Sequence, residues 1–383
     1  MIADIVATEV PGLAALVAMG LVVAILALGE PLFTRAVGLH RAPVSRIPAM
    51  DGLRGVAALA VVVHHCIVMG NYLRSGVWRI TEGHLAEQLG SLPVAVFFMI
   101  SAYLFVGALL RNDGKVDPVR LFDGRIMRIA PLYVFAVAVL CLFVGIETHF
   151  VAAEPPLTIA NEVGHWALFG FSKRGPINGF TPTFVLLSQI WTLRYEWILY
   201  ALIPVMALGY RFIGRAAVYL ILAVAAVLSS MFAFFVAGTI VAEVAGRVPG
   251  RWRHVLDGVG VAALIATVVL FARSDGVAAA VLLAIFFVAA IEGGIVRAAF
   301  SGPTLRALGT ISYSLYLIHA FPLWVVSHWL LSPATFAHLS LAKMVAADAG
   351  VALASIAIAI VTYRVIEAPL MARRLFSRRS AAA

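Results

Sequence analysis

Eleven stretches of about 20 mostly apolar residues recur along the chain, and no other property restricts its fold so strongly. They lie near residues 8–29, 50–70, 92–111, 128–146, 184–208, 213–230, 231–246, 255–272, 277–296, 308–331 and 344–366. In a bilayer every backbone polar group must be bonded within its own segment, so runs of this length read as spanning helices. The charged fraction is 12% and the mean hydropathy +1.01, where a water-soluble domain carries about 25% charged residues. The expectation is an all-α, polytopic transmembrane helical bundle of about eleven spans. The tandem pair over 213–246 requires a very tight turn at Ser229–Ser230. Cys66 and Cys141 both sit within apolar runs and read as packing residues, with no disulfide framework. The N-terminus has no positive n-region, and its first apolar run is followed by Arg35, Arg41 and Arg46, so it does not read as a cleaved leader.

Charge orders the spans. With the N-terminus outside, 21 of the 28 lysines and arginines fall on the cytoplasmic side, including Arg46, Arg111, Lys115, Arg120 and the basic tail at 371–383. The other seven lie outside: Arg74, Arg79, Lys173, Arg174, Arg194, Arg273 and Lys343. This is the positive-inside pattern, and it accounts for most of the net charge of +9 without any nucleic-acid partner. The longest segment between spans, 147–183, is then external and long enough to cap a cavity.

Several spans carry ionisable groups that hydrocarbon does not accommodate without protein or water around them. In MDGLRGVAALAVVVHH (50–65), Arg54 and His65 are 11 residues apart, three helical turns plus 20°, so they share one side, with His65 about 16 Å deeper. Asp51 lies one turn before Arg54 on the same stripe. His64 and His65 diverge by about 100° and cannot chelate one ion together. In GRIMRIAPLY, Arg125 and Arg128 stand one turn apart, a spacing suited to phosphate oxygens. In IWTLRYEWILYALIP, Glu196 lies within the apolar run with Tyr200 on its face. In LGTISYSLYLIHAFP, Ser312, Tyr316 and His319 make a single polar stripe. In RVIEAP, Arg364 and Glu367 stand one turn apart and read as an ion-paired helix terminus. Snorkelling of Arg54, the positive-inside rule for Arg125 and Arg128, and interhelical bonds of the histidines and Glu196 account for the same residues structurally. Glu243, Glu292 and Asp348 need partners that the pattern does not identify. The functional alternative is that the stripes converge on one cavity with arginines at its cytoplasmic mouth. There is no serine-nucleophile elbow, no metal-spaced cluster and no glycine-rich nucleotide loop.

These blocks, in order, resemble the membrane-bound acyltransferase-3 family, whose members O-acylate carbohydrates and other hydroxyl compounds. IPAMDGLRGVAALAVVVHH resembles the family's first core helix, and VFFMISAYLF (96–105) its FFxxSGFL block, with Ala102 in place of the usual glycine. RIMRIAPLY, IWTLRYEWILYALIP, LGTISYSLYLIH and RVIEAP are similar to the later blocks. The resemblance covers about residues 46–370, leaving 1–45 as an extra N-terminal span and linker and 371–383 as a basic tail. It implies a ten-helix core with a cytoplasmic start, in the bacterial inner membrane, with the extra span placing the chain's own N-terminus in the periplasm. It implies an acyl-CoA donor, most commonly acetyl-CoA, with no metal, and an acceptor hydroxyl on a carbohydrate or lipid-linked saccharide, which segment 147–183 is placed to engage. His65 is the implied general base or acyl carrier and Glu196 orients it or the acceptor. Arg54, Arg125 and Arg128 hold the donor's phosphates, while Asp51, Ser101, Tyr316 and His319 line the substrate pocket. The rival from another class is a secondary transporter of an anionic solute with a polar midplane site, against which stands the absence of any inverted repeat.

Overall fold

The computed structural model describes residues 2–41, 47–80, 83–371 and 373. Arg46 and most of the basic tail, including Arg374, Arg378 and Arg379, lie outside the described residues. Among the described residues there is no strand, only one isolated bridge between Ile177 and Phe180.

Six helices are long and apolar enough to cross a membrane. Five of these are α1 (Ile2–Leu28), α2 (Pro48–Ser75), α3 (His84–Arg111), α4 (Pro118–Glu147) and, after the short helix α5 (Pro156–Trp166), α9 (Arg253–Leu270, extended by a turn from Gly250). The sixth is α13 (Leu341–Met371). A seventh crossing results if α11 (Pro303–Thr310) and α12 (Ser312–Leu330) form one span, bent by 57°. Length and composition thus support fewer crossings than eleven. The reason is visible in α7 (Arg215–Leu228), α8 (Ser230–Val244) and α10 (Gly276–Glu292), which are apolar but of 14, 15 and 17 residues. At 1.5 Å per residue they reach about 21–26 Å, short of a core about 30 Å thick. A further helix, α6 (Trp191–Phe212), has the length but carries Arg194, Glu196 and Arg211. Between α7 and α8 the turn is as tight as anticipated, a single extended residue, Ser229, at φ −145°.

Local chemistry sets the ends. Pro48 opens α2, where its missing N–H costs no bond, and Gly76 closes it at φ +74° with its N–H on the Tyr72 carbonyl. Asp117 caps α4 by accepting the Arg120 N–H at 3.1 Å, followed by Pro118. Two apolar clusters form the body. One joins α1, α2, α4, α12 and α13; the other joins α3, α6, α8 and α10. Helix α2 is the most buried of the long helices and contributes to both clusters.

Lipid supplies no hydrophobic drive between helices, so close backbone approach carries much of the packing. Where α2 meets α11, a Cβ on Gly55 would lie 2.6 Å from the Leu305 carbonyl oxygen and 2.7 Å from the Gly309 nitrogen. Gly309 in turn lies against the backbone of Asp51. This contact fixes the Arg54 end of α2 against the element that leads into α12.

The acidic residues left unassigned by sequence find different fates. Glu243 accepts from the Tyr219 hydroxyl and pairs with Arg247 at 3.8 Å, and Glu292 accepts the Gly246 N–H at 2.8 Å. Asp348 is buried, with one carboxylate oxygen lacking a hydrogen-bond partner among the described residues. The expected Arg364–Glu367 pair does not form. Residues 363–367 make a π-turn, whose wider winding rotates the two side chains apart. Glu367 instead accepts from Ser314 at 2.9 Å, and Arg364 reaches the Arg35 carbonyl at 3.5 Å.

Candidate active site

At the seam between the two apolar clusters, four cavities follow one another and share walls. Arg111, Lys115, Arg120 and Arg125 line the first, an open basin of about 1440 Å³. Arg125 and Phe105 also line the second, a cleft of about 790 Å³ walled by α2, α3, α4, α6 and α12. Val94 and Tyr316 separate that cleft from a third cavity of about 920 Å³, which holds His64 and His65. His65 and Trp78 pass on into the fourth, about 1340 Å³, walled by Lys173, Arg174 and Arg194.

The second cleft gathers Arg54, Ser101, Arg125, Arg128, Glu196 and Tyr316 from five helices. Among the described residues, none of the three arginines has a carboxylate within 4 Å. Arg125 stacks over the Phe105 ring at 4.9 Å, an apolar support that leaves its donors free. Glu196 is held by its own helix, accepting the Tyr200 hydroxyl at 2.9 Å one turn on, and the Ser101 hydroxyl at 3.4 Å. It does not bond to His65. Ser312, almost fully buried in the same wall, has a hydroxyl without a partner among the described residues. Asp51 lines none of the four cavities; it lies at the backbone crossing with Gly309.

His65 sits deeper on the side of α2 that carries Arg54, and its bonds define its protonation. Its Nδ1 lies 2.9 Å from the Val61 carbonyl oxygen and 3.1 Å from His319 Nε2. The Nδ1 of His319 lies 2.7 Å from the Tyr316 carbonyl oxygen. A carbonyl only accepts, so both Nδ1 atoms carry protons and both Nε2 atoms hold lone pairs. His319 Nε2 therefore accepts from His65, and His65 Nε2, 3.3 Å from the Ser188 hydroxyl, is left as a base facing the third and fourth cavities. The ring lies nearly parallel to Trp78, with centroids 5.9 Å apart. His64 has a different role in the wall, its Nδ1 donating to the Ala86 carbonyl at 2.8 Å.

The structure thus brings Arg54, Arg125, Arg128, Glu196, Ser101 and Tyr316 together in one cleft, and His65 with His319 beyond it. Sequence reasoning did not single out Ser188, Gln189 or Trp78. Ser188 and Gln189 lie in a short 3₁₀ turn before α6, and Gln189 ties that turn to α12 through the Leu317 carbonyl at 2.6 Å. Trp78 lies in the non-helical stretch after α2. Polar residues in such turns have no period; the one available signal was the run SQIW immediately before the Glu196 block.

Comparison with known proteins assigns the chain to a family. The acyltransferase-domain pattern of the acyltransferase-3 family matches residues 47–364. The chain is 29% identical over 317 residues to the exopolysaccharide production protein ExoZ of Rhizobium meliloti (strain 1021), an alignment spanning 76% of this chain and 94% of that protein. It is 27% identical over 164 residues to a Staphylococcus aureus (strain COL) protein named "Putative O-acetyltransferase SACOL0978", across 42% of this chain and 24% of that much longer protein. No solved structure matches the chain. With a matched family pattern over most of its length and an all-helical, apolar body, the chain belongs to the acyltransferase-3 family and is a multi-pass membrane acyltransferase.

Proposed function

We propose that the protein moves an acyl group, in the first instance acetyl, from cytoplasmic acyl-CoA to a hydroxyl of a carbohydrate or lipid-linked saccharide presented on the outer face of the bacterial inner membrane. The observation that carries this reading is the succession of an arginine-lined cleft and a histidine with an unprotonated Nε2, with Val94 and Tyr316 as the wall they share. In the orientation that charge favours, with the chain's N-terminus outside, the basin of Arg111, Lys115 and Arg120 faces the cytoplasm. Arg54, Arg125 and Arg128, which make no ion pair among the described residues, bind the donor's phosphates, and the thioester reaches toward Tyr316. His65 Nε2 takes the proton of the acceptor hydroxyl as its oxygen attacks the thioester carbonyl. The resulting imidazolium is steadied by the Val61 carbonyl and His319. Collapse breaks the carbon–sulfur bond, and the proton leaves with the CoA thiol. Glu196 orders Tyr200 and Ser101 in the cleft wall.

The placement of His65 in the walls of both outer cavities, across Tyr316 from the donor cleft, favours a second version, in which Nε2 itself carries the acyl group. Acid-quenched protein then gains the mass of one acetyl group in the peptide containing His65; the general-base version predicts no such adduct.

The test is titration of acetyl-CoA into the purified protein in nanodiscs by calorimetry. Arg54→Ala weakens donor binding at least tenfold. His65→Ala binds the donor as wild type does, while transfer falls by about 10²–10⁴-fold, the usual scale for a lost general base. Folded wild-type protein that binds no CoA would overturn the proposal.

A further inference from the structure

The fourth cavity is unusual for its side of the membrane. In the orientation proposed above only seven basic residues lie outside, and five of them, Arg79, Lys173, Arg174, Arg194 and Arg273, line the two outer cavities. Arg273 is matched by Glu87 at 3.5 Å. The other cluster is not matched: Lys173, Arg174 and Arg194 line the fourth cavity, and no carboxylate does. Among the described residues none of the three makes an ion pair. The positive-inside rule predicts the reverse, an outer face poor in cations, so charge sorting does not explain the group.

Their surroundings also argue against idle surface charge. Arg174 donates to the Ser188 carbonyl at 2.6 Å, which fixes it beside the serine that touches His65. Partial burial and, after it, the neighbouring Arg194 hold the Arg174 guanidinium below its ordinary pKa. Arg194 lies over the Tyr195 ring at 4.8 Å. The aromatic faces of Trp78, Phe171, Phe184 and Trp191 complete the wall. Apolar faces suit the C–H side of a pyranose, and fixed guanidinium groups suit carboxylate or phosphate oxygens.

We infer that the fourth cavity is the acceptor subsite and that it selects an anionic saccharide, one bearing a carboxylate or phosphate oxyanion that Lys173, Arg174 and Arg194 bind while a hydroxyl is presented to His65. This rests on the acyltransferase reading above and adds the charge of the acceptor to it. The oxyanion can belong to a uronic acid in the glycan or to the diphosphate of a polyprenyl carrier.

The experiment uses the full chain in nanodiscs of uncharged lipid and three probes: a tetrasaccharide containing one uronic acid, the same tetrasaccharide with its carboxyl reduced to the alcohol, and a polyprenyl-diphosphate disaccharide. Affinities are measured for wild type and for the Lys173→Gln/Arg194→Gln double variant, which spares the Arg174–Ser188 bond. At least one charged probe binds wild type tenfold or more tighter than the reduced tetrasaccharide, and whichever does so identifies the source of the charge. That advantage is lost in the double variant, while acetyl-CoA affinity and affinity for the reduced probe stay within twofold. Equal binding of all three probes, binding of none, or a charge preference that survives in the double variant overturns the inference. Acetyl-CoA titrated into the same samples separates the two ideas. Intact CoA binding without charge preference removes only the anionic acceptor, whereas loss of CoA binding in folded wild type removes the acyltransferase mechanism beneath it.

Discussion

In the proposed mechanism His65 gains its chemistry from neighbouring hydrogen bonds rather than from a carboxylate. Two imidazoles and two carbonyls form a chain in which each proton has one possible seat, and its free end is His65 Nε2. In that mechanism His319 is a positioning residue: it accepts from the ring as positive charge develops, beside the Val61 carbonyl that fixes the tautomer. His319→Ala is expected to lower the turnover rate by about 10²-fold, toward the lower end for general-base effects, with donor affinity unchanged in the same calorimetric assay. Ser188→Ala, which removes a 3.3 Å contact to His65 and a 3.5 Å contact to Gln189, is expected to lower it by less than tenfold. A larger loss in Ser188→Ala than in His319→Ala would reverse the two roles. The eleven-residue spacing of Arg54 and His65, the Glu196–Tyr200 pair and the Ser312–Tyr316–His319 stripe were all legible in the sequence, because helices convert spacing into direction. What spacing does not encode is which neighbour meets that face. Glu196 was expected beside His65 or the acceptor, and it lies in the arginine-lined cleft with Ser101; Asp51 was expected in a pocket, and it lies at a backbone crossing.

At the scale of elements, three contacts hold the site. The crossing of α2 and α11 depends on Gly55 meeting backbone rather than yielding side chain. Gly55→Leu is expected to cost more than the 1–3 kcal/mol typical of overpacking, seen as a loss of monodisperse protein or a drop in Tm of several degrees. Gly→Ala at Gly20, which has open space around it, serves as the control and leaves Tm within about a degree or raises it, as helix propensity favours alanine. The second contact is Glu9 of α1, whose two carboxylate oxygens accept the N–H groups of His84 and Leu85 at 2.7 and 2.9 Å. It acts as a cap for α3 supplied from 75 residues away in sequence. Glu9→Ala is expected to destabilise by about 1 kcal/mol, within the range for lost caps, read as a lower Tm with donor affinity intact. The third is the π-turn at 363–367, which turns Glu367 to Ser314 on α12. Neither the distant cap nor the π-turn was legible. One depends on tertiary proximity, and the other on a single extra residue per turn that periodicity at 3.6 overlooks.

For the whole molecule, α1 is expected to be separable from the site's chemistry, although its Glu9 steadies the start of α3. Helix α1 packs on α2, α3 and α13, yet none of its residues lines the four cavities. A chain beginning at residue 47 is expected to bind acetyl-CoA within about threefold of wild type while melting at lower temperature. Loss of binding in a folded truncation would tie the extra helix to function. Orientation has its own check. Lys173→Cys is expected to react with a membrane-impermeant maleimide added outside intact cells and Lys115→Cys only after lysis, against a low background from Cys66 and Cys141, neither of which is exposed. The apolar runs were legible as helices, but their number as crossings was not, because α7, α8 and α10 are too short to be counted by length alone.

The wall at Tyr316 has one consequence beyond chemistry. Four cavities in series would make the protein an electrical leak if they ran together, and a cell that lives on its membrane potential does not tolerate leaks. Val94 and Tyr316 stand between the second and third cavities, and the Tyr316 hydroxyl is pinned to Thr192 at 3.0 Å and to the Gln189 carbonyl at 3.2 Å. In the proposed mechanism such a partition would let an acyl group change sides by a change of bond while no ion follows it, so that group export and insulation go together.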